Sequence, residues 1–243
     1  MAREERQRQR KIARWVESGT ELERALYFSD AVFAIAITLL VLDLRLPDVS
    51  QEQLRTGLPS LVLGLAPEFF SFVLTFLVIG FYWLAHHRMF HYINRYYGRL
   101  LWINILFLMS VAFLPFSTSV LSEEATTFDF DEASSSITIL LFTGDGSSGS
   151  DQFAVAFYAG SVAVSGLLLS WLWWYATSGH RLVADYLAPR LISFYLLRAL
   201  IPALIFVLSI GISLVSADAA TFSWLLILIT RPLLSRICFR RET

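Results

Sequence analysis

Residues 24–46, RALYFSDAVFAIAITLLVLDLRL, decide the fold. Between Asp30 and Asp43 this run carries no charge, and it is long enough to cross a bilayer as a helix, which takes about 20 apolar residues. Its mouth is unusual, because Arg24 and then Phe28-Ser29-Asp30 lead directly into the apolar segment. Moving an Asp or Arg toward the hydrocarbon centre costs about 2.5–3.5 kcal/mol. A charged and hydroxylated cluster in that place requires a partner, a water-filled path, or both.

Working outward, the other apolar blocks follow the same pattern. Hydrophobic residues make up 56% of the 243 and mean hydropathy is +0.60, against about 45–50% apolar in ordinary globular domains. The spacing predicts an all-α integral membrane protein with six transmembrane helices, at 26–46, 61–85, 99–120, 153–177, 191–215 and 220–238. Pro67-Glu68 predicts an irregular start to the second span, and Pro115 and Pro202 predict local kinks in the third and fifth. Arg231-Pro232 shortens the regular part of the sixth. The first 25 residues are polar and charged and carry no apolar signal-peptide core. A single cysteine, Cys238, excludes an intrachain disulfide and a cysteine-based metal cage.

Charge sets the orientation. Arg3, Arg6, Arg8, Arg10, Lys11, Arg14 and Arg24 precede the first span; Arg88, Arg95 and Arg99 follow the second; Arg181, Arg190 and Arg198 follow the fourth. With Arg231, Arg236, Arg240 and Arg241, 17 of the 19 basic residues fall on one side, leaving Arg45 and Arg55 opposite. The positive-inside rule then makes both termini cytoplasmic, which needs an even number of spans. This divides the chain into a basic cytoplasmic segment (1–23), a transmembrane domain (24–238) and a cytoplasmic tail (239–243). The external loop 121–152 holds Glu123, Glu124, Asp129, Asp131, Glu132, Asp145 and Asp151 and no basic residue. Its composition reads as a flexible polar loop, or as a vestibule that concentrates cations through its field.

Several residues are placed to carry chemistry. On the first helix Ala31, Ile35, Thr38, Leu39, Leu42 and Arg45 share one face. Periodicity alone leaves that face open between lipid, neighbouring helices and a pore lining. Arg24 and Asp30, six apart, are poorly spaced to pair on one helix. Ser29 or Asp30 as a simple helix cap leaves Arg24 unexplained. An interhelical network is the better reading, because His86 and His87 at the cytoplasmic end of the second span, and Trp102 and Asn104 at the start of the third, reach the same depth. HHRMFH, with His87 and His91 four apart, superficially matches the histidine boxes of membrane di-iron enzymes. Those use about eight histidines where this chain has four, and Arg88 and Arg95 repel a metal. Tyr96-Tyr97-Gly98 lies in a short cytoplasmic loop and is no potassium filter of the re-entrant kind. No phosphate loop or nucleophile elbow appears.

Arg24, Phe28, Ser29 and Asp30 opening the first helix resemble the RxxxFSD hallmark of the transmembrane protein 175 family of potassium-permeable channels. AVFAIAITLLVLDL and the basic loop after YWLAHH also look like prokaryotic members. That resemblance implies a homotetramer with the first helix of each subunit lining a central pore. It implies a constriction of branched aliphatic side chains at Ile35, Leu39 and Leu42, with a hydroxyl layer at Thr38. Arg24, Phe28, Ser29 and Asp30 are then elements of packing and gating, with His86, His87, Trp102 and Asn104 as their network, and not ion ligands. The expected function is a potassium-selective leak channel, modestly preferring potassium to sodium, in the plasma membrane, with no cofactor, metal or nucleic-acid partner and no enzymatic activity. Two other readings are a secondary transporter, for which inverted repeats are not evident, and a non-conducting assembly protein.

Overall fold

The computed structural model describes residues 2–45, 58, 61–95, 98–125, 149–180, 182–184, 187–227 and 230. Helix α1 (Ala2–Leu39) tightens into a 3-10 turn (Leu40–Asp43) and is followed by α2 (Ala66–His91) and α3 (Gly98–Ala125). Then come α4 (Gly149–Thr177), α5 (Pro189–Ser213) and the short α6 (Ala217–Ser223). Five stretches are long and apolar enough to cross a membrane: Glu21–Leu42, Glu68–His91, Gly98–Ser122, Gly149–His180 and Pro189–Ser213. Of the expected sixth span, 220–238, only the beginning falls on described residues. The middle of the 121–152 loop and the tail 239–243 lie outside them.

Helix ends differ from the hydropathy boundaries for local reasons. Residues 61–64 of the second apolar block are already helical, Leu65 makes a turn, and the long helix α2 runs from Ala66 to His91. Pro67 sits in the first turn, where its missing N–H costs nothing, and Glu68 complements the positive helix start. Arg88 and His91 favour the other end, so the three histidines of HHRMFH lie on a helix and not in a loop. Helices α3 and α4 extend into both ends of the expected acidic loop, with Asp151 in the first turn of α4. Helices α3 and α5 run uninterrupted through Pro115 and Pro202. Gly179, at φ 65°, ends the α4 region with the left-handed residue that glycine supplies at low cost.

Packing is sequential. Helix α1 lies on α2 and α3, α3 on α4, and α4 on α5 in the broadest contact, with α6 closing onto α5 and α4. Lipid offers no hydrophobic drive between helices, so close approach of small residues has to supply the attraction. Ala159, Ala163, Gly166 and Ala176 on α4 are buried, as are Ala199 and Ala203 on α5. At Gly166 a Cβ would come within 2.7 Å of the Ala203 Cβ, a separation real side chains do not tolerate. Aromatic centres fill the remainder: Tyr82 meets Phe107 edge-on, and Tyr158 and Phe206 pack on Trp224.

Two connections meet at one end of the bundle. Ile93 and Val183 form an antiparallel bridge, Asn94 N donates to Leu182 O at 2.8 Å, and Ala184 N donates to Tyr92 O at 3.2 Å. The α2–α3 and α4–α5 connections, which carry or flank most of the mid-chain arginines, are therefore tied together on one side. This brace fixes the end of the bundle where the charged mouth of the first span also lies.

Candidate pore face and its polar anchor

Helix α1 is anchored along one stripe and open along another. Ser29, Phe33, Ala36 and Leu40 recur at four- and three-residue spacing and are all at most 1% exposed. On the other side Phe28, Ile35, Leu39 and Leu42 are 42–58% exposed, and Ala31 and Thr38 are exposed with them. Of the five candidate spans α1 is the least enclosed by its own chain. Thr38 Oγ1 donates to Ile35 O at 2.9 Å, so its hydroxyl hydrogen is engaged by the helix itself. Leu42 falls in the 3-10 turn, where residues three apart eclipse, which brings it nearly into line with Leu39. Arg45 Nε donates to Leu42 O at 3.0 Å and closes the turn.

The anchor is a chain of three buried polar side chains from three helices. Ser29 Oγ donates its hydrogen to Ala25 O at 2.8 Å. Having spent that hydrogen, it accepts from Asn104 Nδ2 at 3.0 Å. Asn104 Oδ1 is thereby turned toward His86 Nε2, 2.8 Å away, and this contact requires His86 to carry its hydrogen on Nε2. Ser29, His86 and Asn104 are each at most 1% exposed. The imidazole is stacked on Phe90 at 4.2 Å between ring centroids and on Phe107 at 5.6 Å, with Phe33 at 5.7 Å. These aromatics fix the ring that the amide reads.

The remaining motif residues take other partners. Asp30, half-buried, accepts from Trp83 Nε1 at 2.8 Å. His87 is exposed and packs its ring against Trp83 at 5.7 Å. Arg24 Nη1 meets Glu21 Oε1 at 3.3 Å on the surface, an i,i+3 pair of a kind that adds little stability. Within one chain, then, the expected Asp–His–Asn–Arg network divides into a buried Ser29–Asn104–His86 chain, an Asp30–Trp83 pair and a separate Arg24. Phe28 and Trp102 are 58% and 69% exposed. Trp83 was not singled out from the sequence, although it lies one turn before His87 in YWLAHH. A second polar chain also escaped notice: Thr118 Oγ1 bonds Thr75 Oγ1 at 2.8 Å, and Thr75 bonds the Tyr158 hydroxyl at 3.1 Å. Among the described residues no three metal-ligating side chains come together.

Comparison with known proteins points to the same part of the chain. The family model described as "Endosomal/lysosomal potassium channel TMEM175" matches residues 24–115, which begin at Arg24 and run through α1, α2 and most of α3. A protein named a potassium channel in Streptomyces collinus is 35% identical over 161 residues, covering 66% of this chain and 67% of its own length. Another so named in Chamaesiphon minutus is 41% identical over 104 residues, 43% of this chain and 51% of its own. The crystal structure of a lysosomal potassium-selective channel TMEM175 homolog from Chamaesiphon minutus superposes with a TM-score of 0.67 at 27% identity, covering 89% of this chain and 98% of that one.

Proposed function

Because this chain belongs to the TMEM175 family, we propose that it forms a potassium-permeable pore around the open face of α1, in a homotetramer of six-span subunits with both termini cytoplasmic. The family is one of ion channels and not of enzymes. A single observation carries the assignment of the face: α1 is pinned to its own subunit by the stripe through Ser29, Phe33, Ala36 and Leu40, while Ile35, Leu39 and Leu42 stay open to the outside of the described helices. Four such helices around an axis enclose a narrow path. Rings of Ile35, Leu39 and Leu42 then act as a constriction that gates by dewetting.

Selectivity follows from what such a ring lacks. An apolar constriction offers no oxygen to replace the hydration shell, so the ion that sheds water at lower cost passes more readily. That favours potassium over sodium, modestly, with Thr38 oxygens and carbonyl dipoles adding to the preference. Arg24, Phe28, Asp30, His87 and Trp102 lie at the cytoplasmic end, where the buried Ser29–Asn104–His86 chain sets the position of α1. Their exposed members supply contacts to the next subunit. The plasma membrane is the site of action, and potassium is the principal permeant ion, with other monovalent cations passing less readily.

Reconstitution of the full chain into planar bilayers tests the assignment. Potassium current exceeding sodium current is expected. Replacing Ile35 with Asn should raise conductance or narrow the potassium-over-sodium ratio. Permeability unaltered by substitutions at Ile35, Leu39 and Leu42 alike would remove the pore face from α1.

A further inference from the structure

Two contacts fix how α2 and α3 run past each other: His86 meets Asn104 at 2.8 Å near one end, and Thr118 meets Thr75 at 2.8 Å toward the other. One turn beyond Thr75, this antiparallel register sets Ser71 level with Ser122, and both are buried. Glu68 follows on the same face of α2, three residues before Ser71. It is the first residue of one membrane-crossing stretch, and Ser122 is the last of the next. Glu68 takes a hydrogen bond from its own backbone N–H. Its Oε2 is nonetheless closed off from solvent and has no hydrogen-bond partner among the described residues. We propose that Glu68, Ser71, Ser122 and the terminal carbonyls of α3 form a binding site for an alkali cation, sodium or potassium. The site lies at the end of the bundle opposite the Ile93–Val183 bridge, outside the path assigned to α1, and does not depend on that path.

A carboxylate oxygen kept from water without a partner is costly, and either a proton or a cation removes the cost. The surroundings of Glu68 favour the cation, because most of its neighbours offer acceptors. Ser122 Oγ gives its hydrogen to Ser119 O at 3.0 Å, which leaves it only lone pairs to offer. The last carbonyls of α3 have no intrahelical partner and bear the negative end of the helix dipole. The last turn of α3 holds no basic residue to answer them, and Arg45 gives its Nε to Leu42 O. A proton satisfies one of these acceptors, whereas an alkali cation gathers several at once. One carboxylate with neutral oxygens also matches a single positive charge, where calcium sites commonly draw on several carboxylates. The 3-10 turn that carries Leu42 packs on both α2 and α3, so a bound cation fastens the two helices that hold this end of α1.

The test uses the full-length chain in detergent near neutral pH and at constant ionic strength. Replacing N-methylglucamine chloride at about 0.1 M with sodium or potassium chloride should raise the wild-type unfolding midpoint by about 2 °C or more. The variant E68Q should lose that gain. S122A, which keeps the carboxylate, should need roughly tenfold more cation for the same gain. Ions held in the α1 path stabilise wild type and both variants alike, so the difference between them reads the α2–α3 site alone. Sodium-23 NMR should show line broadening by wild type that E68Q reduces. Equal gains in wild type, E68Q and S122A overturn the proposal. So does a wild-type midpoint that responds to acid across the carboxylate range but not to alkali cations, which makes the ligand a proton. Calcium displacing sodium at micromolar levels overturns it as well, because the site is then a divalent one drawing on Glu123 and Glu124. If E68Q does not fold, S122A decides, and a cation response equal to that of wild type overturns the site.

Discussion

Asn104 commits both ends of its amide, Nδ2 to Ser29 of α1 and Oδ1 to His86 of α2. Replacing it with Leu leaves the His86 Nε2 hydrogen and a Ser29 lone pair buried without partners. Each such orphan costs about 1–3 kcal/mol, more than the ~0.6 kcal/mol average measured for an intact interhelical hydrogen bond in a membrane. Asn104→Leu should therefore lower the thermal unfolding midpoint in detergent, and His86→Phe added to it should restore part of the loss by removing the orphaned donor. A single variant as stable as wild type would show the chain to be dispensable. At Asp30 the bond from Trp83 Nε1 needs only an acceptor oxygen. Asp30→Asn should then keep assembly and the potassium-over-sodium ratio, whereas Asp30→Leu should reduce the yield of assembled protein by size-exclusion chromatography. Equal yields from the two would mean that the Trp83 bond has no part in assembly. Charge bias puts the start of α1, the end of α2 and the start of α3 at one depth, which is why the sequence suggested an Asp–His–Asn–Arg network there. Which polar group faces which was not legible, since it depends on the rotation of each helix. Asp30 turns to Trp83 and Arg24 to Glu21 for that reason.

Helix boundaries and contacts show the same division. Apolar length located five spans, and Pro67-Glu68 marked the irregular start of the second, where Leu65 turns between two helical stretches, but the 3-10 turn at Leu40–Asp43 follows from local hydrogen bonding that hydropathy does not weigh. The closest helix pair could not be picked out either, because Gly166 reads as an ordinary small residue until Ala203 is set against it. Gly166→Ala should destabilise the α4–α5 contact, and Ala203→Gly on top of it should recover only part of the loss, because the Tyr82 hydroxyl still stands 3.1 Å from the new Cβ. Unfolding in detergent measures both, and a harmless Gly166→Ala would mean that the two helices part at no cost. At the start of α6, burial first and the neighbouring Asp151 charge second raise the pKa of Asp218 above the ordinary carboxyl value. The folded state thus holds this proton more tightly than the unfolded chain, and its contribution to stability falls as pH rises from the ordinary aspartate range through the raised value. Asp218→Asn should remove that part of the slope in the unfolding midpoint against pH. An identical slope in the variant would discount the burial.

At the scale of the molecule, the question is which surface of the subunit faces the ion path and which faces lipid or a neighbouring chain. Exposure in one chain does not separate these, because Phe28, Ile35, Leu39 and Leu42 are all open. A single native cysteine makes the distinction measurable. In a Cys238→Ser background, Cys introduced at Ile35 or Leu39 lines the proposed path, and one introduced at Ala36 is held in the packed stripe at 1% exposure. Soft thiophilic cations such as Cd²⁺ bind thiolates that converge on an axis. Current through the Ile35→Cys and Leu39→Cys channels should be blocked by micromolar-range Cd²⁺, with relief by chelator, while Ala36→Cys conducts unchanged. Fourfold convergence also predicts that oxidation links two Ile35→Cys chains across the axis, visible as a dimer on non-reducing gels. Block at Ala36 without block at Ile35 would turn α1 around and move the path to the face now packed on α2 and α3. Such a result is hard to reconcile with Phe33, His86 and Phe107 filling that space.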